Sequence, residues 1–377
     1  MVLREAALER LRQTVTQVEP AQALRRQVGG ALLIDIRSLD QVTQGSAPGA
    51  CQLSRDKLEL QIEGPAPEPT RSLLLMCSSG VTSLFAAENL QRLGYRDVSS
   101  VAGGFARWKA DGLPVVAIDT LDRKQRQRYG RHLALPEVGE AGQRRLQDAA
   151  VALIGAGGLG SAAALYLTAA GVGKLTVIDN DIVDRSNLQR QVLHSDTGTG
   201  LPKVESARAM LEDLNPDIQI TALNTRIVST NADELLNGHD VVVDGSDNFE
   251  TRYLVNDACV ARGIPNVHAS VHRFEGQLSV FWPGREGGPC YRCLYAAPPP
   301  AELSPSCEEA GVIGALPGIF GALQASEALK IVLGIGRPLD GRLLCFDALS
   351  GRFTEFEITA DTNCSVCRQQ LTRVPSL

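Results

Sequence analysis

Two α/β domains are predicted for this chain of 377 residues, a small one with an N-terminal helix over 1–117 and a larger, doubly wound one with a mixed-sheet C-terminal part over 118–377. Three observations carry the prediction. Short apolar runs alternate with helix-compatible stretches in both halves. One of them, "AAVALIGAGGLG", passes directly into a glycine-rich turn. The charged segment "DTLDRKQRQRYGRHLALPEVG" separates the halves after Ala117. A composition 44% hydrophobic and 21% charged suits a globular chain with a sizeable core.

In the first half, "ALLIDIRS" (31–38) reads as a strand, and "RSLLLMC" (71–77) as a second. The latter feeds a helix from Val81 to Leu93 that stops at Gly94. In the second half, "AAVALIG" is a strand, "SAAALYLTAAG" a helix, "KLTVIDND" a strand, "KVESARAMLEDLNP" a helix and "HDVVVDGSDN" a strand. Open sheets of this kind bind ligands beyond the carboxyl ends of their strands, where Asp179, Asp181 and Asp247 fall. "APPPAELSPS" (297–306) reads as a proline-rich crossing loop. The apolar stretch 312–336 is interrupted by Pro317, Glu327, Lys330 and glycines, which fits a buried helix better than a membrane span.

A net charge of -6 argues against a dominant electrostatic grip on nucleic acid or an anionic membrane. The opening "MVLREAALERLRQTV" lacks the apolar core and cleavage site of a signal peptide, so a cytoplasmic location is expected. In that reducing compartment the nine cysteines point to metal binding or thiol chemistry before disulfides.

Gly155, Gly157 and Gly160 form G-x-G-x-x-G between strand and helix, where missing side chains let phosphate oxygens reach backbone N–H groups. Asp179, about 20 residues on, is placed to accept from a ribose, which makes the second domain Rossmann-like. These residues alone favour an NAD-dependent oxidoreductase. Arg190 and Lys203 follow soon after, and fixed cations suit a triphosphate. Cleavage at its α-phosphorus releases pyrophosphate, whose charge Arg and Lys can neutralise while Asp247 holds Mg²⁺.

Cys290 with Cys293, and Cys364 with Cys367, are two C-x-x-C pairs about 70 residues apart, each able to supply half of a tetrahedral Zn²⁺ site. A closed four-thiolate site is structural. Cys51, Cys259 and Cys345 lie in apolar segments and read as small core residues. Cys77 opens a short loop into a helix, where N–H groups and the helix dipole can stabilise a thiolate or persulfide; a buried small hydrophobe is the competing reading.

From 128 to 367 the chain resembles the MoeB/ThiF family of ubiquitin-activating-enzyme-like adenylyltransferases. The likeness is carried by "RYGRH", "GAGGLGS", "VIDNDIVDRSNLQRQ", "GLPKVESA", "GSDNFETRY", "EGQLSVF", "PCYRCLY", "CEEAGVIG" and "CSVC". The resemblance implies ATP contacts at Gly158, Asp179, Ser186, Asn187, Leu188, Gln189, Arg190, Lys203, Asp247 and Asn248, with Asp181 beside them, and Mg²⁺ at Asp247. It implies a homodimer in which Arg131 enters the partner's site, and a covalent adduct at Cys307 in some relatives. The implied reaction is attack by the Gly-Gly carboxylate of a ubiquitin-like sulfur carrier on the α-phosphate of ATP. The expected carrier is the molybdopterin synthase small subunit; thiamin, tRNA-thiolation and cysteine-forming pathways use similar ones.

Residues 17–115 resemble a rhodanese domain through "LLIDIRS", "CSSGVTS" and "VAGGFARWKADGLPV". That resemblance implies a sulfane sulfur on Cys77, held by the amides of Ser78 to Ser83, and a cysteine desulfurase or similar donor. Thr82 stands where many such loops carry arginine, and "GSAPGA" (45–50) where "GHIPGA" is usual.

Overall fold

The computed structural model describes residues 2–42, 45–116, 121–283, 285, 288–298 and 311–368. Internal contacts divide the chain into two units, Met1–Arg128 and Tyr129–Leu377, the division falling inside the helix Arg123–Leu133.

The first unit is built on five strands: β1 Thr16–Val18, β2 Leu32–Asp35, β3 Cys51–Gln52, β4 Leu73–Met76 and β5 Val98–Val101. Their order is β1-β5-β4-β2-β3, all parallel. β4 is central and apolar throughout because both of its faces are covered. Successive side chains point to opposite faces, so Leu73, Leu75 and Cys77 join one cluster with Leu84 and Leu90. Leu74 and Met76 join another with Phe105 and Trp108. Cys77 therefore inherits its burial from strand periodicity.

The second unit carries β6 Ala150–Ile154, β7 Lys174–Ile178, β8 Gln219–Leu223, β9 Val241–Asp244, β10 Asn266–His272, β11 Glu275–Phe281, β12 Arg342–Asp347 and β13 Arg352–Glu357. The eight-stranded sheet runs β13-β12-β11-β10-β9-β6-β7-β8. The five strands from β8 to β10 are parallel, and the rest add as antiparallel neighbours. This is the doubly wound sheet with a mixed C-terminal part that the sequence predicts. After β6 the chain builds β7 and β8 on one side, then returns to lay β9 on the other. The reversal opens a crevice above β6.

The long apolar helix Ala315–Leu333 packs on β9 to β11 and on the helix Gly158–Ala170, burying Leu316, Phe320, Ala325 and Ala328. By length and composition it could cross a membrane, yet half of it is buried inside the unit. The two helices approach so closely that a Cβ at Gly321 would overlap the carbonyl oxygen of Leu159.

Candidate functional site

Three arrangements matter, one in the first unit and two in the second. At the crevice above β6 lies a cavity of about 330 Å³. In-register pairing of Ile154 with Ile178 and Asp244 brings the ends of β6, β7 and β9 to one edge, so Gly155, Asp179 and Asp247 meet there. Gly155 has φ +87°, open to glycine without strain, and a Cβ at Gly160 would overlap the carbonyl of Gly155. The turn thus delivers Gly157 and Gly158 to the cavity wall at the N-terminus of the helix Gly158–Ala170.

Asp179 is half-buried, its Oδ2 accepting from Ala156 N–H at 2.7 Å and its Oδ1 from Asp181 N–H at 2.8 Å. Each oxygen retains a lone pair for a ligand. Lys203 starts the helix Lys203–Leu214, and its Nζ donates to Asp181 Oδ2 at 2.8 Å with the lysine side chain only 7% exposed. Arg190 Nη2 donates to Asn187 Oδ1 at 2.6 Å, which aims the guanidinium along the wall. Asp247 is exposed to the cavity, and Asn248 Oδ1 caps the next helix by accepting from Thr251 N–H at 2.9 Å.

Gly155, Gly157, Gly158, Asp179, Asp181, Arg190, Lys203, Asp247 and Asn248 line this cavity together. Gly160, Ser186, Asn187, Leu188 and Gln189 do not line it: Gly160 serves the turn, Asn187 steadies Arg190, and Ser186 bonds Asp184. Arg131 is exposed, outside the cavity lining and without a hydrogen bond or ion pair among the described residues. Cys307 lies outside the described residues.

Sequence reading missed Gln191, Arg226, Ser246 and Arg252, which also line the wall. Arg252 had a signal: it follows the Asn248 cap by four residues, one turn into the helix, and its guanidinium returns to Ser246 O at 3.3 and 3.2 Å. Arg226 sits in the loop after β8 and has none.

The buried Asp244 shapes this loop. Its Oδ1 accepts from Ser246 N–H at 3.0 Å and its Oδ2 from His268 Nδ1–H at 2.9 Å. Burial alone would push Asp244 up, but these hydrogen bonds hold its carboxyl below the usual range. His194 Nε2–H donates to Ala156 O at 2.9 Å behind the glycine turn. Burial lowers His194, His239 and His268 below the ordinary imidazole range. A histidine lowered in the folded state binds fewer protons there than when unfolded. Its contribution is therefore complete above the unfolded value of about 6.5 and shrinks as pH falls through the folded one. The melting temperature should drop by several degrees between about pH 7.5 and 5, each kcal/mol being worth about 2–4 °C. A flat profile in thermal melts would show that these imidazoles are not held neutral.

The second arrangement is the cysteine cluster. Cys290–Cys293, Cys290–Cys364 and Cys293–Cys367 Sγ separations are 3.9, 3.6 and 3.5 Å, and all four sulfurs lie within 4.8 Å of one another. Thiolates about 2.3 Å from a central cation form a tetrahedron with edges of roughly 3.8 Å, so the four cysteines fit a metal ion. The hydrogen bond from Cys290 pulls Cys293 down to about 5, the same contact pushes Cys290 up, and burial pushes Cys367 to about 12. Cys290 and Cys367 thus resist ionising beside Cys293, and a divalent cation would relieve that.

The third is Cys77, whose sulfur is buried at the end of β4 and accepts from Gly80 N–H at 3.1 Å and Ser83 N–H at 3.4 Å. Phe105 N–H and Ala106 N–H donate to the carbonyls of Cys77 and Ser78 at 2.8 and 3.0 Å. This pins the loop from the far side. A Cβ at Gly104 would overlap Cys77 O, hence the double glycine of "VAGGF".

The ThiF family model matches residues 129–366 and the rhodanese-like domain model residues 19–111. The chain is 48% identical over 248 residues to the SAMP-activating enzyme E1 of Haloferax volcanii, covering 66% of this chain and 91% of that protein. It is 48% identical over 254 residues to the sulfur carrier protein adenylyltransferase of Thermus thermophilus, covering 67% and 94%. The adenylyltransferase and sulfurtransferase MOCS3 of Mus musculus is 47% identical over 260 residues, covering 69% of this chain and 56% of that one. Among solved structures, Escherichia coli MccB aligns with a TM-score of 0.56 at 22% identity, covering 64% and 74%, a likeness of fold.

Proposed function

Because the chain belongs to the ThiF family, we propose that it uses ATP to adenylate the C-terminal Gly-Gly carboxylate of a ubiquitin-like sulfur carrier, and that its rhodanese-like domain delivers sulfur through Cys77. The observation that carries this reading is the meeting of the glycine turn, Arg190, Lys203 and Asp247 on one cavity wall. The names of its relatives support it, since they adenylate a sulfur carrier, activate SAMP, or pair adenylyltransferase with sulfurtransferase activity.

A carboxylate is a poor electrophile, and adenylation gives it a leaving group. The turn amides and the helix N-terminus receive phosphate oxygens. Asp179 offers its free lone pairs to the ribose. Arg190 and Lys203 neutralise the charge that grows on departing pyrophosphate, held in place by Asn187 and Asp181. Asp247, exposed on the cavity wall beside Asp179 and Asp181, would hold Mg²⁺, which would screen the triphosphate. The four cysteines would hold Zn²⁺ as a closed structural site joining the C-terminal segment to the body of the unit. Arg131, exposed and unengaged, suits insertion into a second copy, so the working form is read as a cytoplasmic homodimer.

We read the carrier as the molybdopterin synthase type, with a cysteine desulfurase or similar enzyme supplying sulfur. Carrier-dependent exchange of labelled pyrophosphate into ATP, run with molybdopterin, thiamin, tRNA-thiolation and cysteine-pathway carriers, tests reaction class and carrier together. No exchange with any Gly-Gly carrier would sink adenylation. In the same preparation Cys77→Ala should abolish sulfur transfer and leave exchange intact; transfer surviving the substitution would remove Cys77 from the mechanism.

A further inference from the structure

Beneath Cys77 lies a pair of buried hydroxyls that no step above employs. Ser83 Oγ stands 3.3 Å from Cys77 Sγ and 2.8 Å from Ser100 Oγ. Both serines are 0% exposed, and Cys77 is 4% exposed. Ser83 is at the start of the helix Thr82–Arg92, and Ser100 is on the adjoining β5, paired with Leu75 of β4. The contact joins the helix to the strand it packs on.

We propose that Ser83 is a catalytic residue of sulfur transfer and Ser100 its positioning partner, forming a neutral relay that stabilises negative charge on the Cys77 sulfur. The proposal rests on Cys77 being the sulfur carrier. A hydroxyl has one proton and can both donate and accept. A thiolate can only accept, so Ser83 must give its proton to Sγ, and its oxygen is then open to accept from Ser100. Both protons point toward the sulfur. When Cys77 is a thiol, its S–H can donate to Ser83 and the chain can reverse.

The relay addresses the inner sulfur, which is charged as the thiolate that begins loading and that delivery regenerates. On loading from thiosulfate, the Cys77 thiolate attacks the outer sulfur, a new S–S bond forms, the old one breaks and sulfite leaves with the electron pair. On delivery to cyanide, the carbon attacks the outer sulfur of the persulfide, thiocyanate forms, and the S–S electron pair returns to Sγ as thiolate. No external oxidant or reductant is needed in either step. Preorganised donors count most where charge develops during the reaction, and delivery develops it on Sγ. Every hydrogen bond to Sγ among the described residues comes from a neutral group, Gly80 N–H, Ser83 N–H or the Ser83 hydroxyl. Thr82 is exposed, and its hydroxyl makes no hydrogen bond among the described residues. The hydroxyl relay thus does at the sulfur what a cation does in loops that carry one.

The full chain is tested by sulfur transfer from thiosulfate to cyanide, with loading from glutathione persulfide as a second entry route, in the parent, Ser83→Ala, Ser100→Ala and Cys77→Ala. Ser83→Ala should lower kcat about 10- to 100-fold with KM for thiosulfate within about twofold, and Ser100→Ala about three- to tenfold. Release of thiocyanate from preloaded persulfide should slow by the same factors. Pyrophosphate exchange should match the parent, and melting should stay cooperative and within several degrees of it, the cost of one unpaired buried hydroxyl, showing that the fold survives. Parent-like turnover in Ser83→Ala, with Cys77→Ala inactive, overturns the relay and leaves the Cys77 reading standing. Full activity in Cys77→Ala, or a parent that loads from neither donor, overturns the Cys77 reading itself.

Discussion

Lys203→Ala should lower kcat for carrier-dependent pyrophosphate exchange on the order of 10²–10³-fold, the loss expected when one preorganised charge-stabilising group is removed. The lysine side chain is almost wholly enclosed, with its ammonium 2.8 Å from Asp181 and on the cavity wall. Enclosure strengthens its pull on phosphate oxygens relative to a surface lysine. The substitution also leaves the Asp181 carboxylate facing the triphosphate without compensation, so KM for ATP should rise as well. Lys203→Met, which keeps the apolar stem, should lose activity to a similar degree and so assign the effect to charge rather than packing. Exchange within threefold of the parent in both variants would remove Lys203 from the reaction.

Cys364→Ser should prevent the cluster from holding the proposed metal and destabilise the second unit by about 4 kcal/mol, the chain-entropy value for losing a cross-link that closes a loop of roughly 70 residues. Cys364 and Cys290 are buried and 3.6 Å apart at sulfur, so removing one thiol breaks the tetrahedron from inside. Tyr291, between the first two cysteines, packs edge-on against His268 at 4.9 Å, and His268 donates to Asp244 under the Asp247 loop. Loosening the cluster should therefore also weaken ATP binding, several-fold at least. Metal analysis and thermal melting check the first part, and nucleotide titration the second. A variant that keeps one metal per chain and melts with the parent would show that Cys364 is not a ligand.

Much of the fold was legible because its signals are local. The run "LLLM" is buried on both faces of a parallel sheet and reads as a strand by composition alone. β5, "VSSV", is buried just as fully, yet its serines disguise it; Ser99 is occupied by Arg26 and Ser100 by Ser83, neither of which is a neighbour in sequence. β13, "RFTEFE", is exposed along its whole length, so no hydrophobic period marks a buried face.

By itself the sequence determined the chemistry that local spacing can encode: the glycine turn, the acidic residues that end strands, and two thiol pairs each one helical turn wide. Tertiary structure alone decided which of these share a site. The return of β9 beside β6 sets Asp247 against Gly155, and the folding back of the C-terminal segment closes the four-sulfur cluster. Sheet register likewise sets Ser100 beneath Ser83 and Cys77. The physical reason is that a strand's order in a sheet, and the partner of a buried polar atom, depend on contacts between residues tens of positions apart. No periodicity along the chain records such contacts.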